Sequence, residues 1–407
     1  MEKYTEQLNN SLLFRVSEDS LLQKLCSSLD QTASPGDALS LLLARAWEKG
    51  WGGNLWHCCL AEALLMNENP YTLAFELRDE TDCSLRRLAL KDMELWKKLF
   101  DTAPHGPVWD ELISFGGDGS QVTENVITKL AKDLAECKNS EDFLKNLHNY
   151  IKNCGCGTYS LAYRFRVEIT EGSVSLLPLE GNGCSGLSQL VGYESQKKLL
   201  VDNTESFLAG KGSNNVLLYG DAGTGKSTCV QALAAEYGSS GLRVIEIHKH
   251  QFRAIPELLA DLAKRRYRFI LLLDDLSFEE NETEYKYLKA VMEGGAQTAP
   301  ENVRIYATSN RRHLVRETWS DRNDVEHDGD IHRSDTMEEK LSLASRFGLQ
   351  IFYPAPDFDE YQNIVAELAS RNGIQLSAEE LKKQAAAWQV RHGSSSGRTA
   401  KQFIDSL

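Results

Sequence analysis

The fold is decided by one stretch of the sequence, Gly220-Asp221-Ala222-Gly223-Thr224-Gly225-Lys226-Ser227. The stretch fits the pattern G-x-x-x-x-G-K-[ST] at every position, and it stands between an apolar strand predicted at 216–220 and a helix predicted at 226–237. Glycines allow main-chain N–H groups to approach a phosphate closely, and the start of a helix adds positive potential. The sequence therefore predicts a phosphate-binding loop, the P-loop.

The P-loop residues are expected to bind a nucleoside triphosphate in different ways. Main-chain N–H groups would wrap the phosphates, Lys226 would reach the β- and γ-phosphates, and Ser227 would offer its hydroxyl to Mg²⁺. The candidate binding residues of the loop are Gly220, Asp221, Ala222, Gly223, Thr224, Gly225, Lys226, Ser227 and Thr228.

A second apolar run, Phe269-Ile270-Leu271-Leu272-Leu273, ends in two carboxylates, Asp274 and Asp275. Ligands of open parallel sheets bind at the carboxyl ends of the strands, so these acids are expected beside the P-loop. We expect Asp274 to hold Mg²⁺, through water, and Asp275 to stand where a water-activating acid is needed.

Strands and helices alternate from Leu187 onward, which is typical of a parallel sheet with helices on both faces. The predicted strands are 216–220, 244–247, 269–273, 303–307 and 349–352. After Asp357 the pattern is helical again. The predicted fold class is therefore α/β, with a C-terminal helical lid.

The first 152 residues read as helices, and a β-hairpin with strands at 159–169 and 174–179 follows. The hairpin is expected as a separate segment between two domains. The predicted organisation is an all-α N-terminal domain (1–152), a hairpin and linker (153–186), an α/β nucleotide-binding core (187–354) and a helical lid (355–407).

The 407-residue chain has a formal net charge of -14 and a pI of about 5.2, which argues against a general nucleic-acid coat. Its densest basic run, Lys264-Arg265-Arg266 with Arg268, is expected to be a solvated helix end, with a phosphate or partner contact as the alternative. No run approaches the ~20 apolar residues of a membrane span, and the polar start does not resemble a signal peptide. We expect a cytoplasmic protein that does not enter a membrane.

The nine cysteines are odd in number and scattered, which does not indicate a disulfide framework. Cys154 with Cys156, and the run His57-Cys58-Cys59, are expected to be packed thiols, with a metal site as the alternative. The acidic stretch 319–335, which contains two histidines, is expected to be a flexible loop, with a metal-binding or regulatory loop as the alternative.

Four blocks of the sequence together resemble the AAA+ ATPases. They are Leu190-Val191-Gly192-Tyr193-Glu194, the P-loop, Asp274-Asp275-Leu276-Ser277-Phe278-Glu279 and Tyr306-Ala307-Thr308-Ser309-Asn310-Arg311-Arg312-His313-Leu314. More narrowly, the blocks resemble a bacterial family of predicted ATP-binding proteins of unknown function. The resemblance covers residues 158–407, and it implies ATP and Mg²⁺ as ligands and a homo-oligomer as the working form.

The resemblance also implies roles for residues outside the P-loop. Val191 and Gly192 would line the adenine side of the pocket, and Asn310 would orient the attacking water. Arg346 resembles the arginine finger that acts on a neighbouring subunit, with Arg311 and Arg312 as alternatives. Arg398 resembles the second sensor, which reaches the phosphates from the lid.

One position departs from the pattern, because most AAA+ enzymes have glutamate where this chain has Asp275. The shorter side chain must approach by about 1.5 Å or act through an extra water, and misplacement of that order costs about 100-fold in rate. Two functions therefore stay open. One is an Mg²⁺-dependent oligomeric ATPase that remodels or loads an unknown client, either a protein or nucleic-acid machinery. The other is a nucleotide-gated binding module or switch with little hydrolysis.

Overall fold

A computed structural model describes residues 3–30, 35–78, 82–116, 126–160, 162–170, 173–179, 186–277, 284–292, 299–310, 343–393 and 395–407. By its internal contacts the chain divides into an N-terminal unit, Met1–Leu161, and a C-terminal unit, Ala162–Leu407.

The described part of the N-terminal unit is helical, as predicted. Its helices are α1 (Tyr4–Asn9), α2 (Leu21–Leu29), α3 (Pro35–Lys49), α4 (Leu55–Leu65), α5 (Pro70–Arg78), α6 (Cys83–Asp101), α7 (Pro107–Ile113), α8 (Val126–Ala135) and α9 (Ser140–Cys154). Side chains of Ser20, Asn54 and Asn139 accept main-chain hydrogen bonds at the starts of α2, α4 and α9, which fixes where these helices begin. The apolar faces meet in one core that includes Trp56, Trp96 and Phe143.

The cysteines of this unit that were weighed as metal ligands are mostly buried. Burial raises the pKa of the Cys58 thiol to about 12, and the Cys156 thiol donates to Oε2 of Glu76 across 3.2 Å. The described residues contain no group of three or more His, Cys, Asp or Glu side chains arranged to hold a metal ion. The two histidines of the stretch 319–335 lie outside the described residues.

The C-terminal unit is built on a seven-stranded sheet. Its strands are β1 (Arg164–Thr170), β2 (Ser173–Pro178), β3 (Val216–Gly220), β4 (Leu242–Ile247), β5 (Arg268–Leu273), β6 (Val303–Ser309) and β7 (Leu349–Tyr353). The order across the sheet is β2-β1-β4-β5-β6-β3-β7, and among these described strands only β1 and β2 pair antiparallel. The P-loop strand β3 therefore lies inside the sheet, between β6 and β7.

The hairpin β1–β2 corrects one expectation. It was predicted as a separate segment, but β1 pairs in parallel with β4, with Phe165 opposite Ile245, so the hairpin extends the main sheet. Tyr159, predicted to begin the first strand, lies instead in a 3-10 turn at Gly157–Ser160. The alternation of apolar and polar residues predicts that a strand exists. It does not predict the neighbouring strand, which here lies about 80 residues away in the sequence.

Helices cover the sheet and form the lid. They are α10 (Glu194–Leu208), α11 (Lys226–Tyr237), α12 (Ile255–Leu262), α13 (Tyr285–Met292), α14 (Phe358–Arg371), α15 (Ala378–His392) and α16 (Gly397–Ile404). The last three helices form the predicted lid and share an apolar core of their own that includes Tyr361, Val365 and Phe403.

The basic run after α12 is less solvated than expected. Lys264 is exposed and pairs with Asp261 across 2.8 Å, but Arg265 is only 8% exposed and lies near the Tyr267 ring. Arg268 lies over the Phe207 ring at 5.4 Å. The run is therefore partly a packing element at the amino end of the central strand β5. Among the described residues, no helix has the length and apolar character to cross a membrane.

Candidate nucleotide-binding site

The P-loop connects β3 to α11 through a backbone that requires glycine. Gly220, Gly223 and Gly225 have φ values of 135°, 78° and 86°, in the left-handed region that favours glycine. A Cβ at Gly220 would lie 2.0 Å from the carbonyl oxygen of Tyr353, so the loop also passes too close to β7 for any side chain there. This turn fixes where β3 ends and where α11 begins. The N-terminal N–H groups of α11 therefore lie at the opening of the loop.

Lys226 is the cation of the loop, and it is only 5% exposed. Its ammonium donates to the carbonyl oxygens of Gly220, across 3.0 Å, and Asp221, across 2.6 Å. Burial lowers the pKa of Lys226, while the nearby carboxylates of Asp221, Asp275 and Asp274 act in the opposite direction. The loop therefore holds a partly desolvated positive charge, to which an anionic phosphate is a favourable partner.

Ser227, Asp274 and Thr308 form a hydrogen-bonded group at the carboxyl ends of the strands. The hydroxyl groups of Ser227 and Thr308 both donate to Oδ1 of Asp274, the latter across 2.6 Å. The two hydroxyl oxygens lie 3.4 Å apart. Hydroxyl and carboxylate oxygens are ligands that suit Mg²⁺, so Ser227 and Asp274 could hold a magnesium ion.

Asp275 has a constrained position next to this group. Its φ of 51° is left-handed, which is uncommon for a residue other than glycine. Its main-chain N–H donates to the Thr308 hydroxyl across 3.0 Å, and its Oδ1 accepts from Nδ2 of Asn310 across 2.8 Å. Because both contacts come from β6 and its end, the position of this carboxylate is set by the neighbouring strand.

Thr308 was missed by the sequence analysis, although it connects both acids. The strand was expected to end at Ala307, whereas β6 continues to Ser309 and brings the buried Thr308 to the edge of the sheet. A polar residue at the end of an apolar strand next to an acid-ended strand was the available signal.

Asp221 was predicted only as a loop residue, yet its Oδ2 accepts from the N–H of Ala355, which follows β7.

Val191 and Gly192, which were predicted to line the adenine side, lie in a segment that lines the cavity described below. Gly192 and Tyr193 have φ values of 81° and 61°, and the Tyr193 hydroxyl donates to the carbonyl oxygen of Pro354 across 2.8 Å. Burial raises the pKa of Tyr193, so its hydroxyl stays protonated as this donor. Val191 packs against the core of the lid.

The lid reaches the P-loop at the start of α16. The N–H of Arg398 donates to the carbonyl oxygen of Gly223 across 3.2 Å, and a Cβ at Gly223 would lie 2.8 Å from Oγ of Ser396. The Arg398 side chain is exposed and lines the cavity described below. Lid and loop are thus in direct contact beside Lys226.

These elements enclose a cavity of about 1290 Å³. The sequence-predicted residues that line it are Val191, Gly192, Ala222, Gly223, Thr224, Gly225, Lys226, Ser227, Thr228, Asp274, Asp275, Asn310 and Arg398. Gly220 and Asp221 form the base of the loop, through the carbonyl oxygens that bind Lys226. Ligand cavities usually have about 300–1,000 Å³, so this cavity is large enough for a nucleotide and would not be filled by it.

Arg346 is not among the described residues that line this cavity. It lies exposed in a turn before β7, next to the buried Phe347. Arg311 and Arg312, the alternatives for the finger, lie outside the described residues.

The class of the protein follows from this arrangement. A P-loop strand, an inserted strand that leads to Asn310 and a strand that leads to Asp274 and Asp275 lie side by side, and a helical lid follows them. This is the architecture of an AAA+ P-loop NTPase, as the sequence blocks indicated. Residues 160–407 match the family model described as "Protein of unknown function (DUF815)", and the chain belongs to this family. The match coincides with the C-terminal unit.

Similarity to other known proteins is more distant. A segment is 37% identical over 98 residues to the Replication factor C large subunit of Staphylothermus marinus, and it spans 22% of this chain and 22% of that protein. The Thermotoga maritima RuvB Holliday junction branch migration motor is 15% identical, with a TM-score of 0.33 over 55% of this chain and 72% of that one. The FIGL-1 AAA domain in complex with ADP is 16% identical, with a TM-score of 0.36 over 51% of this chain and 68% of that one.

Proposed function

We propose that this chain is an Mg²⁺-dependent ATPase that works as a homo-oligomer in the cytoplasm and couples ATP hydrolysis to a change in a client. The observation that carries the proposal is the continuous hydrogen-bonded path from Ser227 through Asp274 and Thr308 to Asp275 and Asn310. This path begins at the phosphate-binding loop and ends at an acid–amide pair, the order in which phosphoryl transfer to water needs its groups.

Each part of the path has a role in the proposal. Lys226 and the N–H groups of the loop bind the β- and γ-phosphates and oppose the charge that develops on them. Ser227 and Asp274 hold Mg²⁺, which neutralises phosphate charge when it is bound. Asp275 accepts a proton from the attacking water, and Asn310 keeps the acid and the water in position.

The arginines divide into two roles. Arg398 belongs to the lid and lines the same cavity as Lys226, so in this proposal it contacts the phosphates and connects them to the lid. Arg346 is exposed on the surface of its own subunit, which is consistent with a contact to the nucleotide of a neighbouring subunit. The proposal therefore requires an oligomer, because the site of one chain is incomplete without this arginine.

The client is proposed only as a class. The segment shared with the Replication factor C large subunit favours nucleic-acid machinery over an unrelated protein client, although it spans 22% of that relative. The N-terminal helical unit is the proposed client-binding module, since it lies outside the part that matches the family model.

Phosphate release from Mg²⁺·ATP by the full chain tests the proposal. Lys226→Ala is expected to abolish ATP binding, whereas Arg346→Ala is expected to lower turnover by about 10³-fold and leave ATP binding intact. Lys211→Ala, at an exposed position outside the cavity, is the matched control.

A mixing experiment tests the oligomer directly. A Lys226→Ala subunit still offers Arg346, and an Arg346→Ala subunit still offers an intact pocket. The two inactive variants should therefore recover part of the activity when mixed. Absence of turnover in the wild type at every protein concentration would rule out the ATPase.

A nucleotide-gated switch is the second candidate function. It is favoured by Asp275 itself, whose short side chain lines the cavity but has its Oδ1 occupied by the hydrogen bond from Asn310. In that case ATP would change oligomeric state or client binding equally in wild type and Asp275→Asn. Light scattering with ATP distinguishes the two functions, because the ATPase requires turnover for the complete cycle.

A further inference from the structure

The segment from Leu187 to Tyr193, which we call the base-side segment, joins two separate apolar cores. Leu187, Leu190 and Tyr193 pack against the core of the sheet, whereas Val191 packs against the core of the lid. Except for Leu187, the residues of this segment line the cavity that also contains Lys226. The position of the base-side segment therefore depends on both the sheet core and the lid core.

The base-side segment begins with a 3-10 turn whose last carbonyl groups point away from the turn. The N–H of Gln189 donates to Gly186, and the N–H of Leu190 donates to Leu187, across 2.9 and 3.1 Å. The carbonyl groups at such an end lack partners within the turn, and cations are favourable there.

Two positively charged side chains donate hydrogen bonds to these carbonyl groups, one from the sheet domain and one from the lid. Lys197 of α10, in the core, donates to the carbonyl oxygen of Leu190. Arg371, the last residue of the lid helix α14, donates through Nη1 to Gln189 across 2.7 Å and through Nη2 to Ser188 across 3.2 Å. Arg371 thus connects the lid to two consecutive carbonyl oxygens at once.

Each cation is also held by an acid on its own helix. Glu194 accepts from Lys197 across 2.9 Å, and Glu367 accepts from Nε of Arg371 across 2.9 Å. The Glu367 contact uses the third donor of the guanidinium and leaves the fork of Nη1 and Nη2 for the segment. A lysine offers no such fixed fork, so it cannot reproduce this grip.

We propose that Arg371 is a positioning residue that couples the nucleotide base to the lid. The inference rests on the proposed function, because it assumes that the base-side segment binds the base of ATP. When the bound base fixes the position of this segment, the hydrogen bonds of the Arg371 guanidinium also fix the position of α14. Arg398 contacts the P-loop at the other end of the lid, so phosphates and base each have their own connection to the lid.

The consequence for ATP binding is specific. Loss of the Arg371 fork removes two charge-assisted hydrogen bonds that stand about one-third exposed, and we expect about a tenfold weaker ATP affinity. The P-loop contacts are made by other residues and should be retained. The lid should then stop responding to ATP while the loop still does.

Hydrogen–deuterium exchange of the full chain at saturating Mg²⁺·ATP tests this. In wild type, ATP should slow exchange in both α11 and α14. In Arg371→Ala, α11 should keep its protection and α14 should lose it, with Arg371→Lys in between. Arg391→Ala, an exposed arginine of α15, is the matched control and should behave as wild type.

The outcomes separate the two proposals. If ATP protects no part of the wild type, the proposed function fails and this inference fails with it. If ATP protects α11 but not α14 in the wild type, or protects α14 equally in Arg371→Ala, the site stands and the role of Arg371 is overturned.

Discussion

Asn310 donates a hydrogen bond from Nδ2 to Oδ1 of Asp275 across 2.8 Å, and this bond joins the ends of two neighbouring parallel strands. Asp275 makes this bond from a backbone with a left-handed φ of 51°. The acid and the asparagine therefore act as one unit, and a change in either alters the other.

Removal of either member of this unit should lower turnover without abolishing ATP binding. We expect Asp275→Asn to reduce kcat by about 10²–10⁴-fold, because the proton acceptor is lost. Asn310→Ala should reduce kcat by about 10²-fold, because the carboxylate loses its positioning donor. Phosphate release gives kcat, and calorimetry gives the dissociation constant of ATP.

The double variant checks the coupling. Because the two residues form a unit, Asp275→Asn with Asn310→Ala should be no slower than Asp275→Asn alone. Losses that multiply would show that the two residues act independently.

Thr308→Val should weaken the magnesium site. Valine fills the same space, but it leaves the N–H of Asp275 and the Oδ1 of Asp274 without the hydroxyl that contacts both. We expect a loss of about 1–3 kcal/mol in the free energy of unfolding and a higher Mg²⁺ concentration for half-maximal activity. Urea unfolding and a Mg²⁺ titration measure the two effects.

Thr308→Ser is the control for that prediction, since it keeps the hydroxyl and removes only a methyl group. It should need about the same Mg²⁺ concentration as wild type. A serine variant as impaired as the valine variant would assign the effect to packing at β6.

Gly220→Ala should be far more destabilising than Gly241→Ala. Both glycines have positive φ, at 135° and 94°, so alanine is strained at each. At Gly241 the new Cβ meets nothing within 4 Å, whereas at Gly220 it meets the Tyr353 carbonyl oxygen at 2.0 Å. Calorimetry should show a small decrease in Tm for Gly241→Ala and a severe loss of folded protein for Gly220→Ala. Equal Tm values would mean that β7 moves away without cost.

The N-terminal unit should lose stability in mild acid because of His148. Burial, aided by the charge of Arg86, lowers the pKa of His148 to about 4 from 6.5. Its ring stacks on Phe75 at 3.9 Å, and its Nε2 lies 2.5 Å from the Tyr71 hydroxyl. Between pH of about 6.5 and 4, the unfolded chain binds a proton that the folded chain does not, so stability falls as the pH falls.

The dependence of Tm on pH in His148→Phe tests this assignment. The slope between pH 6.5 and 4 should decrease, although His57, whose pKa burial also lowers, retains part of it. His392→Gln, at an exposed position in α15, is the control and should keep the slope of the wild type. An unchanged slope in His148→Phe would assign the acid sensitivity to other groups.

Short-range sequence patterns are enough to predict the P-loop, the acid-ended strand and the lid helices. A glycine pattern before Lys226 leaves the backbone few alternatives, and apolar runs of strand length that end in Asp274 or Asn310 place these residues at one edge of a parallel sheet. These are short-range constraints, so they can be read without knowledge of the fold.

The contacts between these elements, in contrast, depend on how the chain packs in three dimensions. The pairing of β1 with β4, the bridge of Thr308 between two acids and the hydrogen bonds of Arg371 to Ser188 and Gln189 all join residues distant in sequence. Whether two such residues form a hydrogen bond or pack together depends on which parts of the chain face each other in the folded unit. Residue spacing along the chain does not predict these contacts, because the packing of the whole unit sets them.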